Sequence, residues 1–229
     1  MSFFLTNKKL EELRKISYDS YEKYLYGGKL SSFVMGVSHQ LLERGILHFD
    51  NDHVLEIGGA NSCHYKWIKS PVSKYVVIDH SLPMEAQKIK EVEYLLCDSV
   101  WKPLDFEDNF FSRVIASHLW EHVSDPEKYL LDWYRVLRPG GVISIALPCD
   151  PGFLWQLGKE INVGRWLKLT KLMREDYDYI NAHEHVNSIY NLEAILRFHF
   201  KKNLVIHKWP CSFLPIWMNL FYIVSIRKI

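Results

Sequence analysis

Hydrophobic and polar positions along this chain follow two textures. From Asn7 to about Tyr26, Leu10, Leu13, Ser17, Tyr21 and Tyr24 recur at spacings of three and four, which predicts a helix that Gly27-Gly28 breaks. A second helix is predicted from about Lys29 to Leu47, with Leu30, Phe33, Val34, Val37 and Leu41 on one side. Short apolar runs then follow: HVLEIGG (53–59), KYVVIDH (74–80), VEYLLCD (92–98), FFSRVIASH (110–118) and GGVISIALP (140–148). Each reads as a buried strand, and three of them end in glycines or an acid. Between the last two lies a helix over Pro126–Arg138. Asp125 is its N-cap, Pro126 its first position and Pro139-Gly140-Gly141 its stop, and Tyr129, Leu130, Trp133, Val136 and Leu137 form its buried stripe. Alternating buried strands and helices predict an α/β fold, a parallel sheet covered on both faces. Such a sheet binds ligands at the carboxyl ends of its strands.

The last third reads differently. Residues 149–182 carry Trp155, Arg165, Trp166, Lys168, Lys171 and Arg174 but no clear strand, and are expected to form a helical lid insertion over the ligand edge. Asn191–Phe200 reads as a helix, and NLVIHKW (203–209) and LFYIVSIRK (220–228) as closing strands. With no internal repeat or flexible linker, one domain is expected. Its parts are N-terminal helices (1–48), a core that binds the cofactor (49–148), a lid and substrate region (149–190) and a closing helix with strands (191–229).

Composition narrows the function. The 229 residues are 48% hydrophobic and 24% charged, which excludes wholesale disorder. A formal charge of +1 argues against a nucleic-acid binder. Cys63, Cys97, Cys149 and Cys211 lie too far apart for a zinc ribbon or disulfide framework, which suits a reducing compartment. No secretory signal is read in the first residues, and the most apolar stretch, 213–226, is too short to span a bilayer. A cytoplasmic protein without stable membrane insertion is expected, although Phe213–Phe221 offers an apolar patch for a membrane surface.

Candidate chemistry gathers at three strand ends. Glu56-Ile57-Gly58-Gly59-Ala60-Asn61 follows the first strand and lets a ligand approach the backbone closely. Asp79 ends the second strand, where a carboxylate can accept from both hydroxyls of a ribose. Asp98 ends the third, where it can accept from an adenine amino group. A nicotinamide dehydrogenase is disfavoured because G-x-G-x-x-G is absent.

In their order and spacing, VLEIGGANS (54–62), VVIDHS (76–81), LLCDSV (95–100) and VIASHLWEHVSDPEKYLLDWYRVLRPGGVISIALP (114–148) resemble the class I S-adenosylmethionine-dependent methyltransferases, type 11 group. The first loop departs from the family's alternate glycines, with Ala60 and Ser62 at two of those positions. The resemblance implies a Rossmann-like, doubly wound sheet of seven mostly parallel strands, and S-adenosylmethionine as cofactor with S-adenosylhomocysteine as product. It further implies that Glu56, Gly58 and Gly59 hold the methionine end and Asp79 the ribose, with His80 beside the adenosine. Asp98, Ser99 and Val100 would meet adenine. Ser117 and His118 would lie beside the methyl group in transit.

A hydroxyl acceptor also needs a base with a suitable pKa. His118 and His185 are the catalytic candidates, and His183, His185, Trp155 and Trp166 the substrate contacts. His122 reads as a structural residue of its turn. A metal site built from these histidines with Glu121 or Glu184 is the lesser reading, and no metal is expected. The favoured acceptor is a small or medium molecule, a hydroxyl of a saccharide or other secondary metabolite, and the protein a monomer or homodimer. The rival readings are a nucleotide- or nicotinamide-dependent enzyme and a non-catalytic binding subunit of the same fold.

Overall fold

The computed structural model describes residues 8–17, 20, 28–44, 46, 52–59, 63–80, 88–97 and 103–229. The apolar runs become strands β1 (His53–Ile57), β2 (Lys74–Asp79), β3 (Val92–Leu96), β4 (Phe111–Ser117), β5 (Leu137–Pro148), β6 (Leu204–Trp209) and β7 (Phe221–Arg227). They form one sheet in the order β3-β2-β1-β4-β5-β7-β6. The first five strands run parallel and β7 inserts antiparallel between β5 and β6. The order reverses at β1 and β4, so a ligand crevice is expected outside their carboxyl ends.

The helices are α1 (8–17), α2 (Lys29–Arg44), α3 (Pro126–Val136), α4 (Phe153–Thr170), α5 (Arg174–Glu184) and α6 (Ile189–Phe200). Successive strand residues point to opposite faces, so one sheet feeds two cores. Leu55, Val114, Ile143 and Val224 pack on one side with Leu130 and Trp133 of α3 and Leu192 and Leu196 of α6. Val54, Tyr75, Ile115 and Ala146 pack on the other with Met35, Leu41 and Leu42 of α2. A smaller cluster joins Leu13 of α1 to Trp166 and Ile180.

Several expectations shift. The helix over Pro126–Arg138 ends at Val136, and Leu137 is already paired with Phe111. The Pro-Gly-Gly stop lies inside β5. Gly140 adopts φ +77, a left-handed conformation that glycine takes without strain, and its N–H reaches the Lys228 carbonyl. The register then shifts before Arg113 meets Val142, so the glycines make an irregularity within the strand rather than a separate turn. Asp125 caps α3 as expected by accepting from the Lys128 N–H. The helix predicted from Asn191 begins at Ile189, capped by Ser188.

The face assigned to α2 is corrected at Phe33. Phe33 is exposed, and the buried positions are Ser31, Met35, Ser38, His39, Leu41, Leu42 and Glu43. Leu41 is buried and Val34 and Val37 pack against the same core as expected, and polar residues share this inner face because they meet polar partners there. Of the first predicted helix, residues 8–17 are helical, and Tyr21 and Tyr24 lie outside the described residues, as do Ala60, Ser62, Asp98, Ser99 and Val100.

Candidate active site

β1 ends at a turn built by its own acid. Glu56 is buried, and its carboxylate accepts from the His64 N–H at 2.9 Å, the Tyr75 hydroxyl at 2.7 Å and the Cys63 thiol at 3.2 Å. Burial pushes its pKa up to about 7 against those hydrogen bonds. A Cβ on Gly59 would stand 2.4 Å from the Glu56 carboxyl carbon, so only glycine lets the chain cross this carboxylate. Gly58 takes φ +77, and its N–H donates to the Ile78 carbonyl at 2.8 Å, which sets the turn against the end of β2. Glu56 thus holds the loop through protein donors, and the backbone around Gly58 is left to meet a ligand.

A second shell of charge ties this loop to α2. His64 Nε2 lies 2.8 Å from Glu43 Oε1, and Arg113 Nη1 donates to the same oxygen at 2.7 Å. His64 Nδ1 faces His39 Nδ1 at 2.8 Å. If Nε2 of His64 carries the proton toward Glu43, its Nδ1 accepts from His39, an assignment that leaves both rings neutral. Burial lowers both histidine pKa values, that of His39 to about 2. Sequence reasoning missed this network. The available signal was Arg113, a cation in the middle of an otherwise apolar strand, which must find a partner when buried.

Asp79 closes β2, buried, with His80 Nδ1 2.8 Å from its Oδ1. That hydrogen bond raises the His80 pKa. At the end of β4 the Ser117 hydroxyl is enclosed and has no hydrogen-bond partner among the described residues. His118 follows at φ 52, a left-handed conformation held by its N–H donating to the Ala146 carbonyl at 2.8 Å. Its Nε2 lies 3.3 Å from Ser38 Oγ, which itself donates to the Met35 carbonyl. Ser38 therefore accepts, and His118 carries its proton on Nε2 with Nδ1 unprotonated. Burial, then the neighbouring His122 and His185, lower its pKa to about 3. His118 is a neutral ring across the physiological range and a weak base.

The two segments carrying the histidines are stitched together. His122 Nδ1 lies 2.7 Å from the Glu184 carbonyl, and Asn187 bonds the Glu121 and Val123 carbonyls through its backbone and side chain. The His122 and His185 rings meet edge to face, with centroids 4.8 Å apart. His185 Nδ1 stands 3.1 Å from Asp150 Oδ2, without the alignment of a full hydrogen bond. Burial raises the Asp150 pKa, but His185 and Lys159 outweigh it and hold the carboxyl below its ordinary value. Glu121 is buried with one oxygen unpartnered, and burial pushes its pKa up to about 7.

Thus Glu56, Gly58, Gly59, Asp79, His80, Ser117 and His118 gather at the carboxyl ends of β1, β2 and β4, and His185 joins His118 through the histidine cluster. Trp155 packs on Phe221, whose ring also touches His118. His183 is exposed and rests on Tyr179, and Trp166 is 3% exposed within the cluster of Leu13 and Ile180. Neither joins the gathered residues, because α5 turns His183 outward while α1 and α5 cover Trp166. Among the described residues no group of three His, Cys, Asp or Glu side chains is disposed to hold a metal ion.

Residues 55–145 match the family model described as a methyltransferase domain. The chain resembles the plantazolicin methyltransferase BpumL, solved with S-adenosylhomocysteine and a monoazolic desmethylPZN analogue, at TM-score 0.61 and 14% identity, over 98% of this chain and 100% of that one. A methyltransferase of Methanococcus maripaludis, described as S-adenosylmethionine-dependent, matches at TM-score 0.57 and 15% identity over 96% and 93%. A possible histamine N-methyltransferase of Thermotoga maritima matches at 0.54 and 16% over 92% and 100%. No curated protein matches the chain. The central segment thus matches a methyltransferase domain, and the chain as a whole shares the fold of these methyltransferase structures.

Proposed function

We propose that this chain transfers a methyl group from S-adenosylmethionine to a hydroxyl of a small or medium acceptor, a saccharide or another secondary metabolite. One observation carries the reading: the Gly58 turn, the Asp79 carboxylate and the enclosed, unpartnered Ser117 hydroxyl stand at the ends of adjoining strands. A glycine backbone, a ribose acceptor and an idle hydroxyl are the donor and acceptor set that such a cofactor needs. Asp79 would take the ribose, the Gly58-Gly59 backbone and Ser117 the methionine end, and Asp98, Ser99 and Val100 the adenine.

When bound, the cofactor supplies an electrophilic methyl group for in-line displacement. The chain's task is to align the acceptor, exclude water and take the acceptor proton. His118 stays neutral and offers Nδ1 as a hydrogen-bond acceptor that orients the incoming hydroxyl. His185 takes the proton, because Asp150 at 3.1 Å stabilises the imidazolium that forms. Helices α4 and α5 serve as the lid, and Trp155 as an apolar wall behind His118.

The test is release of S-adenosylhomocysteine in the presence of a panel of saccharides, phenols and amines. Turnover with hydroxyl acceptors supports the reading. Turnover confined to amines overturns the choice of oxygen as acceptor atom.

A further inference from the structure

Two segments place apolar side chains in solvent beside one another. On α4, Phe153, Leu157 and Ile161 recur every fourth residue along one face, and Phe153 and Ile161 are 65% and 63% exposed. The loop between β6 and β7 adds Phe213, 88% exposed, with Trp217 and Met218. The segments adjoin: a Cβ on Gly152, at the start of α4, would come within 2.9 Å of the Trp217 backbone, and Gly158 faces Leu220. Both follow strand ends on the ligand side, since Trp209, Phe221 and Pro148 are paired there. A cluster of this kind, as opposed to scattered single residues, marks an interaction surface.

Charge names the occupant. Between residues 151 and 172 the single acid, Glu160, is taken up by Arg174 at 2.7 Å through both oxygens, while Lys168 and Lys171 are exposed. From residue 194 to 229 there is no Asp or Glu at all. The two segments that carry the patch thus hold more lysines and arginines than acids, with Lys168 and Lys171 in solvent. Aromatic and aliphatic side chains flanked by lysines match the acyl boundary and headgroups of an anionic bilayer.

We propose that α4 and the 211–218 loop dock this chain on an anionic lipid surface, with the carboxyl edge of the sheet turned toward the membrane. The docking is peripheral, since no described helix is long and apolar enough to cross a bilayer.

The experiment is vesicle flotation of the full chain, with vesicles of phosphatidylcholine alone or mixed equally with phosphatidylglycerol. The wild type floats with the mixed vesicles and far less with the neutral ones. Phe153→Ser, Ile161→Ser and Phe213→Ser combined lower the partition by about tenfold or more. Lys168→Glu with Lys171→Asn removes the preference for phosphatidylglycerol, by about fivefold per lysine. All these positions are exposed, and circular dichroism with a thermal melt verifies that the variants stay folded. Failure to float, or flotation unchanged by the triple variant, overturns the proposal. So does a wild-type dimer in solution that the triple variant converts to monomer, which would make the patch a self-association face.

Discussion

Arg113 Nη1 lies 2.7 Å from Glu43 Oε1 across 70 residues of sequence, with the guanidinium wholly buried in β4 and the carboxylate on α2. The same carboxylate meets His64, whose backbone N–H holds Glu56 at the turn after β1. One buried pair therefore fixes helix, sheet and loop. Removing one member of such a pair strands the other. Arg113→Met should lose about 3–5 kcal/mol of stability in denaturant unfolding. Combining it with Glu43→Gln should recover part of that loss. Additive losses in the double variant would mean the two residues are not coupled.

Ser117 makes a prediction of opposite sign for stability and binding. Its hydroxyl is enclosed and unpartnered, so Ser117→Ala removes an unsatisfied group and should leave the free protein as stable, or up to about 1 kcal/mol more so. Affinity for S-adenosylhomocysteine should fall by about five- to tenfold, the worth of one hydrogen bond. Unchanged affinity would take Ser117 out of the cofactor site.

Glu121 should give the stability curve a measurable slope. Its folded pKa of about 7 exceeds the ordinary 4.5, so between those values the folded state binds more protons than the unfolded chain. Its contribution is fully present below pH 4.5 and is lost as pH rises through 7. His118 acts oppositely: its folded pKa of about 3 lies below 6.5, so stability is lost as pH falls from 6.5 toward 3. Glu121→Gln should therefore gain on the wild type as pH rises from 5 to 8, by up to about 3 kcal/mol. Thermal melts at the two pH values check this, and a pH-independent difference would refute the raised pKa.

How far the sequence could be read follows from which interactions are local. The strands were legible because β1, β2 and β4 are buried on both faces and so appear as short, mostly apolar runs. Asp79, Ser117 and His118 were legible because each closes such a run. The start of β5 was not, since Pro139-Gly140-Gly141 signals a stop and its pairing with Phe111 and β7 is non-local. The polar positions on the inner face of α2 were hidden for the same reason. Ser38, His39 and Glu43 look solvent-facing until His64, Arg113 and His118 are placed opposite them. His183 and Trp166 are substrate candidates by residue type, and the packing of α5 and α1 sets them apart from the residues gathered at the strand ends.

His185 should separate chemistry from binding. In the proposed mechanism His185, with Asp150 beside it, takes the acceptor's proton. His185→Gln should lower kcat by about 10²–10⁴-fold, as expected for loss of a general base. Its affinity for S-adenosylhomocysteine should stay within about twofold of the wild type, since no bond to the cofactor is removed. Equal losses in affinity and turnover would make His185 a positioning residue of the cofactor loop.

Most directly, the account rests on the cofactor, and calorimetric titration with S-adenosylmethionine and separately with S-adenosylhomocysteine tests it. Binding of either in the micromolar range is predicted, weakened about tenfold or more by Asp79→Ala through loss of its charged hydrogen bonds to the ribose. No heat and no protection from unfolding by either ligand would contradict the methyl-transfer reading outright.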